Sequence, residues 1–579
     1  MANQPRPDAA TALKGLDDLV HSVMQQWKGR GVALAIIQDN EVIFAQGFGE
    51  RDEAKHLPVT PQTLFPIASC TKAFTTAALG ILADQGKLDW DTPVRAYIPS
   101  FRLYDTFASE RVTPRDLASH RTGLPRHDLS WYNNTTASRQ DLFERLQYLE
   151  PTQDLRSRWQ YQNLMYMAQG YLVEALSGQS WEAFVRQHLF EPLEMTSSNF
   201  DVVRTSKEAS DFSHPYREIG NEVKEIPFYA AQAAIAPAGA IVSNITEMSH
   251  WVLMHLNQGK YNGKQILSEQ QVNEVHTPQM VLPPQTQYPE IPYMSYAMGW
   301  VVDPYRGYPM VEHSGGIDGF RSLTTLFPTE RIGVIVLSNL SSLNIPEIIT
   351  YNVFERLVGL DETPWSERFM KVHLGSKEGQ EKGKEQSKAK RVEGTSPSHP
   401  LEAYTGDFAH PGYGMLSITL KDGALQALFN DMTFPIRHYH YDIFELVMER
   451  FDEVMKASFL TSVQGDIDSI VVPFEPTAND IVFKRVPEQR MRDKAFLEQF
   501  VGIYEFLDVQ VVIALKGEHA LSAAITGQPG YELEPYRGSE FRAKGISGVG
   551  IEFQRDAAGM VTGAVATLSL GVFQMTKKG

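Results

Sequence analysis

The apolar residues of the first hundred positions follow two different periods. Helical spacing over residues 11–30 predicts an amphipathic helix. Two apolar runs over 32–37 and 42–45, separated by a polar turn, then predict a β-hairpin. Helical spacing returns at Ser69, so a second helix is expected to begin there.

The same reading places a long helical segment between this hairpin and a later group of strands. Residues 113–220 are mostly helical in pattern, and further helices are predicted over 246–258 and 346–358. Three strand-like runs lie between those two helices, at 297–302, 321–327 and 332–337. Because the hairpin and these strands have to share one sheet, residues 1–365 are predicted to form an α+β domain with an antiparallel sheet flanked by helices.

Charged residues replace the apolar pattern after this domain. Residues 371–398 hold seven Lys or Arg and four Glu, which predicts a solvated, charged linker over 366–400. The alternative, a nucleic-acid-binding tail, is disfavoured because the glutamates interrupt the positive charge.

Beyond the linker the pattern is all-β and repeats. Residues 401–408 resemble 497–504, and Phe459 and Phe553 each precede a glycine by six positions. The repeat predicts two β-barrel-like accessory domains, 401–486 and 497–579.

Composition narrows the functional classes. With 579 residues, 42% of them apolar, the chain can bury several cores, and its net charge of −17 argues against nucleic-acid and anionic-membrane partners. Cys70 is the single cysteine, so no intramolecular disulfide can form. The first eight residues lack an apolar signal-peptide region, which together with the lone cysteine predicts a cytoplasmic protein, with export of a longer precursor as the alternative.

The candidate chemistry begins at the helix that starts near Ser69. Lys72 lies three positions later, on the same helical face, so its amine can reach the Ser69 hydroxyl. A desolvated lysine can take the serine proton, and a helix N-terminus suits a developing oxyanion. The ordinary explanation of Ser-x-x-Lys is a helix cap followed by a solvated lysine.

Two later stretches supply matching chemistry. Tyr161 could be held as a phenolate beside a lysine or could relay a proton, and Asn163 could hold Lys72 or bind a substrate carbonyl. His313-Ser314-Gly315-Gly316 precedes a predicted strand, where glycines let a substrate approach closely and the Gly316 N–H could stabilise an oxyanion. Each stretch alone is also compatible with packing or with a glycine-rich turn.

Taken in order, Ser-x-x-Lys, Tyr-x-Asn and His-Ser-Gly resemble the three motifs of the penicillin-recognising serine hydrolases. This family includes class C β-lactamases, D,D-carboxypeptidases, D-aminopeptidases and related esterases (peptidase S12 type). Residues 119–125 and 236–243 resemble two further segments of the family, and the resemblance covers about 15–358. The two barrels add a likeness in layout to D-aminopeptidases, in which an accessory barrel reaches toward the cleft.

The resemblance implies a role for each motif residue. Ser69 would be the acylated nucleophile, Lys72 its base, and Tyr161 the residue that activates the nucleophile or water and protonates the leaving group. Asn163, His313 and Ser314 would bind substrate, and the backbone amides of Ser69 and Gly316 would form the oxyanion hole. The resemblance thus implies Ser69, Lys72 and Tyr161 as the catalytic residues, and no cofactor and no metal is expected.

The expected activity is cleavage of amide or ester bonds in small substrates such as D-amino-acid peptides, amides or esters. Two departures count against efficient β-lactam hydrolysis: His313 stands where lysine is common, and residues 338–347 offer no basic side chain. The alternatives are a class C-type β-lactamase or D,D-carboxypeptidase, and a catalytically silent penicillin-binding scaffold protein. The expected partner is a small molecule or short peptide, and the C-terminal domains are candidates for homo-oligomer contacts.

Overall fold

The computed structural model describes residues 6–228, 233–283, 288–341, 344–449, 453–546 and 548–578. Residues 1–5 of the predicted first domain and residue 579 of the last lie outside the described residues. The described chain forms an α+β domain followed by two closed β-barrels, which confirms the predicted fold class.

The α+β domain is built on a nine-stranded sheet in the order β10-β11-β12-β13-β14-β15-β1-β2-β3. The N-terminal hairpin pairs with the last strand, Val32 opposite Ser338, so both ends of the domain share one sheet as predicted. Three two-stranded pairs, β4–β7, β5–β6 and β8–β9, lie outside it. The strands are, in chain order, β1 Gly31–Gln38, β2 Glu41–Asp52, β3 Leu57–Pro58, β4 Phe65–Pro66, β5 Tyr216–Ile219, β6 Glu222–Glu225, β7 Val242–Ser243, β8 Lys260–Tyr261, β9 Lys264–Gln265, β10 Met280–Val281, β11 Ser295–Tyr296, β12 Val301–Tyr305, β13 Tyr308–Ile317, β14 Phe320–Phe327 and β15 Ile332–Ser338.

Helices cover both faces of this sheet. Alternate residues of β1 enter two different cores: Ala33 and Ala35 pack toward the core that contains α3, and Leu34 and Ile36 toward the core that contains α2 and α14. The central strand is therefore apolar at successive positions rather than alternating. The helices up to the barrels are α1 Ala9–Ala12, α2 Leu16–Gln26, α3 Thr71–Asp84, α4 Val94–Tyr97, α5 Thr106–Arg111, α6 Pro114–Ala118, α7 Arg139–Arg145, α8 Asn163–Ser177, α9 Trp181–Val185, α10 Val202–Glu208, α11 Ala236–Gly239, α12 Ile245–Leu256, α13 Glu269–His276, α14 Ile345–Val358 and α15 Trp365–Ala389.

The structure refines two interpretations of the sequence. The segment that holds His313 and Gly316 precedes the strand predicted at 321–327 and is itself the end of β13, so the alternative of a glycine-rich turn is wrong. The charged segment predicted as a solvated linker over 366–400 is helical through most of its length, as α15. Exposed pairs at helical spacing, such as Lys382 with Glu378 at 2.6 Å, support a helix whose composition alone indicated a linker.

The two barrels repeat one design. The first contains β16 Gly406–His410, β17 Gly414–Lys421, β18 Ala424–Phe429, β19 Met432–His440, β20 Ile443–Met448, β21 Glu453–Thr461, β22 Ile467–Val472 and β23 Ile481–Val486. After α16 (Lys494–Glu498), the second contains β24 Gly502–Phe506, β25 Val509–Lys516, β26 Ala520–Ile525, β27 Tyr531–Arg537, β28 Glu540–Ala543, β29 Gly550–Arg555, β30 Val561–Leu568 and β31 Gly571–Lys577. We call them barrel 1 and barrel 2.

Positions matched in the sequence repeat make matching contacts inside the barrels. In barrel 1 the rings of Tyr404 and Phe459 lie 5.0 Å apart, and in barrel 2 those of Phe500 and Phe553 lie 4.5 Å apart. The internal repeat is thus a repeat of the aromatic core. None of the helices in the described part of the chain is both long and apolar enough to cross a membrane.

A buried histidine in the α+β domain makes stability sensitive to acid. His255 is 4% exposed and makes edge-to-face contacts with Trp251 and Trp300, and neither ring nitrogen meets a hydrogen-bond partner in the described chain. Burial, with the neighbouring His276, holds the pKa of His255 well below its usual value. The pKa of His255 is lower in the folded than in the unfolded chain, so the unfolded chain binds the proton more readily. The folded state is therefore at its full stability above about pH 6.5 and loses stability as pH falls below that value.

We expect acidification from pH 7 to pH 5 to lower the free energy of unfolding by about 2 kcal/mol through this residue alone. His255→Leu should flatten the pH dependence of Tm, whereas His56→Leu, at a side chain that is 83% exposed, should keep the wild-type slope. Thermal denaturation at stepped pH measures both. Equal slopes in wild type and His255→Leu would contradict the assignment.

Candidate active site

Ser69 lies in a tight turn rather than in the first turn of the α-helix. A 3₁₀ turn over Ala68–Cys70 precedes α3, which begins at Thr71 instead of Ser69. Ala68 has φ +46°, a left-handed conformation that costs a residue with a Cβ atom about 1–3 kcal/mol. Such a conformation persists only where the surroundings fix it, and here it presents Ser69 to a cavity.

The Lys72 amine contacts three oxygen atoms. Its Nζ lies 3.0 Å from Ser69 Oγ, 2.7 Å from Asn163 Oδ1 and 2.8 Å from the Ala238 carbonyl oxygen. Lys72 is fully buried, because α3 is apolar on nearly every side. Burial first, and then repulsion from Arg126, lowers the pKa of Lys72 well below its usual value.

These contacts direct the lone pair of a neutral Lys72. A neutral amine has two N–H groups and one lone pair, whereas the Asn163 carboxamide oxygen and the Ala238 carbonyl can only accept hydrogen bonds. The two N–H groups are therefore used by those acceptors. The lone pair is left for the Ser69 hydroxyl, which is the geometry that a general base for serine requires.

Asp128 fixes the orientation of Asn163. The Asn163 Nδ2 group donates to Asp128 Oδ1 at 3.0 Å, so the carboxamide oxygen has to face Lys72. Asp128 also accepts from Arg126 Nε at 2.6 Å. Neither Arg126 nor Asp128 was singled out from the sequence.

Tyr161 lies beside both Ser69 and Lys72. Its ring centroid is 4.8 Å from Lys72 Nζ and 4.9 Å from the Arg126 guanidinium. Burial raises the pKa of the Tyr161 phenol above its usual value, and a hydrogen bond with Ser69 opposes that shift. Tyr161 is thus a neutral phenol at neutral pH, and it can pass a proton on by accepting one proton while it donates its own.

The ring of His313 is held as a neutral tautomer inside the protein. Its Nδ1 lies 2.7 Å from the Ser314 carbonyl oxygen, which only accepts, so Nδ1 carries the proton. Nε2 then accepts from the Tyr296 hydroxyl at 2.9 Å. Burial lowers the pKa of His313 to about 3, so this position carries no positive charge at neutral pH.

The residues after His313 bring β13 against the Ser69 turn. A Cβ atom on Gly315 would lie 2.1 Å from the Ile67 carbonyl oxygen, so only glycine fits this approach. Cys70 strengthens the contact by placing its Sγ 3.1 Å from the His313 carbonyl oxygen, and its side chain is buried. Ser314 is half-buried, and Gly316 is exposed at the cavity.

A cavity of about 880 Å³ opens in front of Ser69. Among the predicted residues, Ser69, Asn163 and Gly316 line it, together with Arg126 and Asp128. The lining of the cavity also includes Trp131, Tyr132 and most of the residues from 196 to 209.

Arg321, the basic residue nearest to the His313 strand segment in sequence, is paired with an acidic residue. Its Nη2 donates to Glu347 at 2.6 Å, and Arg321 is not among the residues that line the cavity. In the described part of the chain, no three His, Cys, Asp or Glu side chains converge in a group that could hold a metal ion.

The structure thus places Lys72 and Tyr161 beside the Ser69 hydroxyl. Asn163 contacts Lys72, and Gly316 lies on β13, the strand that packs against the Ser69 turn. Sequence reasoning missed the Ala238 carbonyl, Asp128 and Arg126. The segment around Ala238 had been noted only for its resemblance to a family segment. Because a backbone carbonyl carries no side-chain signal, its role could not be read from the sequence.

Comparisons with known proteins show a family and several similar proteins. The family model described as Beta-lactamase matches residues 16–351, and the one described as Domain of unknown function (DUF3471) matches 390–485, which includes barrel 1. Unguisins hydrolase ungD' of Aspergillus campestris is 27% identical over 84% of this chain and 94% of its own length. Protein flp of Staphylococcus aureus is 24% identical over 58% of this chain and 65% of its own length.

A solved structure shows the same fold. The octameric penicillin-binding protein homologue from Pyrococcus abyssi superposes with a TM-score of 0.54 at 21% identity, covering 82% of this chain and all of its own. Since the matched family model spans more than half of the sequence, the protein belongs to the Beta-lactamase family, within the serine hydrolases of the β-lactamase and penicillin-binding protein superfamily.

Proposed function

We propose that this protein hydrolyses amide or ester bonds of small substrates through an acyl-enzyme on Ser69. The observation that carries the proposal is the contact of the buried Lys72 amine with Ser69 Oγ at 3.0 Å, with both other amine contacts made to obligate acceptors. This arrangement supports a lysine that acts as a base rather than as a solvated cation.

In the acylation step, the Ser69 proton moves to Lys72 Nζ as Oγ bonds to the substrate carbonyl carbon. The carbonyl oxygen becomes an oxyanion, for which the backbone amides of Ser69 and Gly316 are the proposed donors. The proton then passes through Tyr161 to the leaving amine or alcohol as its bond to carbon breaks. Water repeats these transfers to release the acid and restore the Ser69 hydroxyl.

The proposed substrates are D-amino-acid peptides, amides or esters that carry no carboxylate next to the scissile bond. A neutral His313 supports this choice, because it offers no charge for such a carboxylate. The cavity volume of about 880 Å³ suits a small molecule or short peptide. Two relatives that match most of this chain are named hydrolases of unguisins.

A substrate panel tests this assignment. D- and L-aminoacyl p-nitroanilides, p-nitrophenyl esters and nitrocefin would be compared by kcat/KM, with intact mass recorded after a fluorophosphonate probe. We expect D-aminoacyl amides or esters to exceed nitrocefin, and one probe adduct per chain. Faster turnover of nitrocefin would support the β-lactamase alternative, and the absence of any adduct would support a silent scaffold protein.

Tyr161→Phe is expected to lower kcat/KM by about 10²–10⁴-fold, because it removes the hydroxyl that relays the proton and leaves the ring in place. Tyr166→Phe is the matched control, since the Tyr166 hydroxyl donates to the Ala118 carbonyl instead. Steady-state kinetics on a good ester substrate measures both. A wild-type rate in Tyr161→Phe would contradict the relay.

A further inference from the structure

Barrel 1 holds the loop that carries Asp128. Glu475, between β22 and β23, accepts a hydrogen bond from the backbone N–H of His127 at 2.8 Å. Tyr413 of the same barrel lies 2.7 Å from His127 Nδ1, while His127 Nε2 lies 3.0 Å from the Glu150 carbonyl oxygen. Since that carbonyl only accepts, Nε2 carries the proton and Tyr413 donates to Nδ1.

A second turn of barrel 1 holds the far end of the same loop. The Asn133 side chain donates to the Asn430 carbonyl at 2.9 Å, and the Asn430 side chain donates back to the Leu129 carbonyl at 2.7 Å. The Thr135 backbone N–H donates to Asp431 Oδ2 at 3.1 Å. The loop is therefore fixed from both sides by one barrel.

The fixed residue has an unfavourable backbone. His127 is buried and adopts φ +46°, a conformation that costs a residue with a side chain about 1–3 kcal/mol and needs external contacts to persist. Glu475 is itself 5% exposed, so removing its carboxylate would leave the His127 N–H without its acceptor in a buried site.

The residues on either side of His127 both contact the candidate active site. Asp128 Oδ1 accepts a hydrogen bond from Asn163 Nδ2 at 3.0 Å, and Asn163 Oδ1 lies 2.7 Å from Lys72 Nζ. Asp128 therefore orients the Asn163 carboxamide toward Lys72. Arg126 lies over the Tyr161 ring at 4.9 Å. A shift of His127 would thus be transmitted to the direction of the Lys72 lone pair.

From these contacts we infer that Glu475 of barrel 1 is a positioning residue for the hydrolase site, acting through His127 and Asp128 on Asn163 and Lys72. The inference rests on the proposed function, because it assigns the position of the proposed base to an accessory domain. Barrel 1 then supports the active site from outside the cavity, because none of its described residues is among those that line it.

The test is a double-mutant cycle on the full-length protein. Glu475→Ala is expected to lower the rate of acylation by a fluorophosphonate about 10-fold or more, since a displacement of about 1 Å can cost as much as 10²-fold. Glu475→Gln, which keeps one acceptor oxygen, should recover most of the rate. Glu402→Gln, at an exposed carboxylate of the turn that leads into barrel 1, is the matched control and should match wild type.

The cycle separates positioning from a general loss of folding. In an Asp128→Asn background, Glu475→Ala should reduce acylation less than about 3-fold, because its path to Lys72 is already weakened. Equal effects of Glu475→Ala in both backgrounds, or no effect in either, would overturn the inference. If wild type itself forms no adduct on Ser69, the proposed function fails instead, and the two failures are distinguishable.

Discussion

Ser69→Ala is expected to lower kcat/KM by about 10⁴-fold or more and to abolish the covalent adduct with serine-directed probes. The reason is that Ser69 supplies the only atom that the proposed mechanism bonds to the substrate, and loss of the nucleophile in a serine hydrolase removes nearly all turnover. Stability should change by only about 1–2 kcal/mol, because the variant removes the hydrogen bonds of Oγ with the Lys72 amine and with the Tyr161 phenol.

Ser249→Ala is the matched control for this variant. Its hydroxyl is buried in α12 and donates to the Ile245 carbonyl at 2.7 Å within the same helix. We expect wild-type labelling and turnover in Ser249→Ala, measured by intact mass and steady-state kinetics. An adduct of unchanged stoichiometry in Ser69→Ala would place the nucleophile elsewhere.

The sequence predicted the fold well where local pattern and topology agree. The sequence predicted that the N-terminal hairpin shares one sheet with the later strands, and the structure shows that β1 and β15 make this pairing. The barrels followed from a repeat whose aromatic positions lie in contact. The helix α15 was missed because its composition is that of a solvated segment, and its three glycines disfavour a helix by about 1 kcal/mol each relative to alanine.

The sequence predicted the motif side chains of the candidate site and missed the residues that hold those side chains in place. Ser69, Lys72, Tyr161 and Asn163 lie together, although Asn163 follows Lys72 by 91 residues. The orienting role of Asp128 depends on a loop conformation that barrel 1 stabilises from more than 300 residues away, with Glu475 and His127 separated by 348 positions. No local pattern encodes such a contact, since neither residue belongs to a spacing that predicts an element.

The protonation state of His313 could not be predicted from the sequence. The sequence showed only that a histidine stands where lysine is common. The structure gives both ring nitrogens partners that fix the neutral tautomer, with the proton on Nδ1 facing the Ser314 carbonyl. Those partners, Tyr296 and a backbone oxygen, follow from the pairing of strands and not from the motif.

Lys72→Met is expected to lower kcat/KM by about 10⁴-fold, because the thioether side chain fills the space of the lysine stem and cannot accept the Ser69 proton. Lys72→Arg distinguishes a base from a cation. Arginine keeps the positive charge and cannot be deprotonated in a protein, so it should fail nearly as completely as methionine. If Lys72→Arg retained more than about a tenth of the wild-type rate, the charge rather than the lone pair would be the active feature.

The pH dependence of acylation gives a second measure of the same assignment. Because the buried environment holds the pKa of Lys72 well below its usual value, the neutral amine is present at lower pH than in a solvated lysine and is lost as pH falls through the lowered pKa. The acylation rate of wild type should therefore have an acidic limb and then a plateau above it. Asp128→Asn removes a carboxylate that raises the pKa of Lys72, so the acidic limb should move to lower pH even as the plateau rate falls. A limb that stays in place in Asp128→Asn would show that a group other than Lys72 titrates, and stopped-flow acylation with an activated ester across pH 4–9 would measure it.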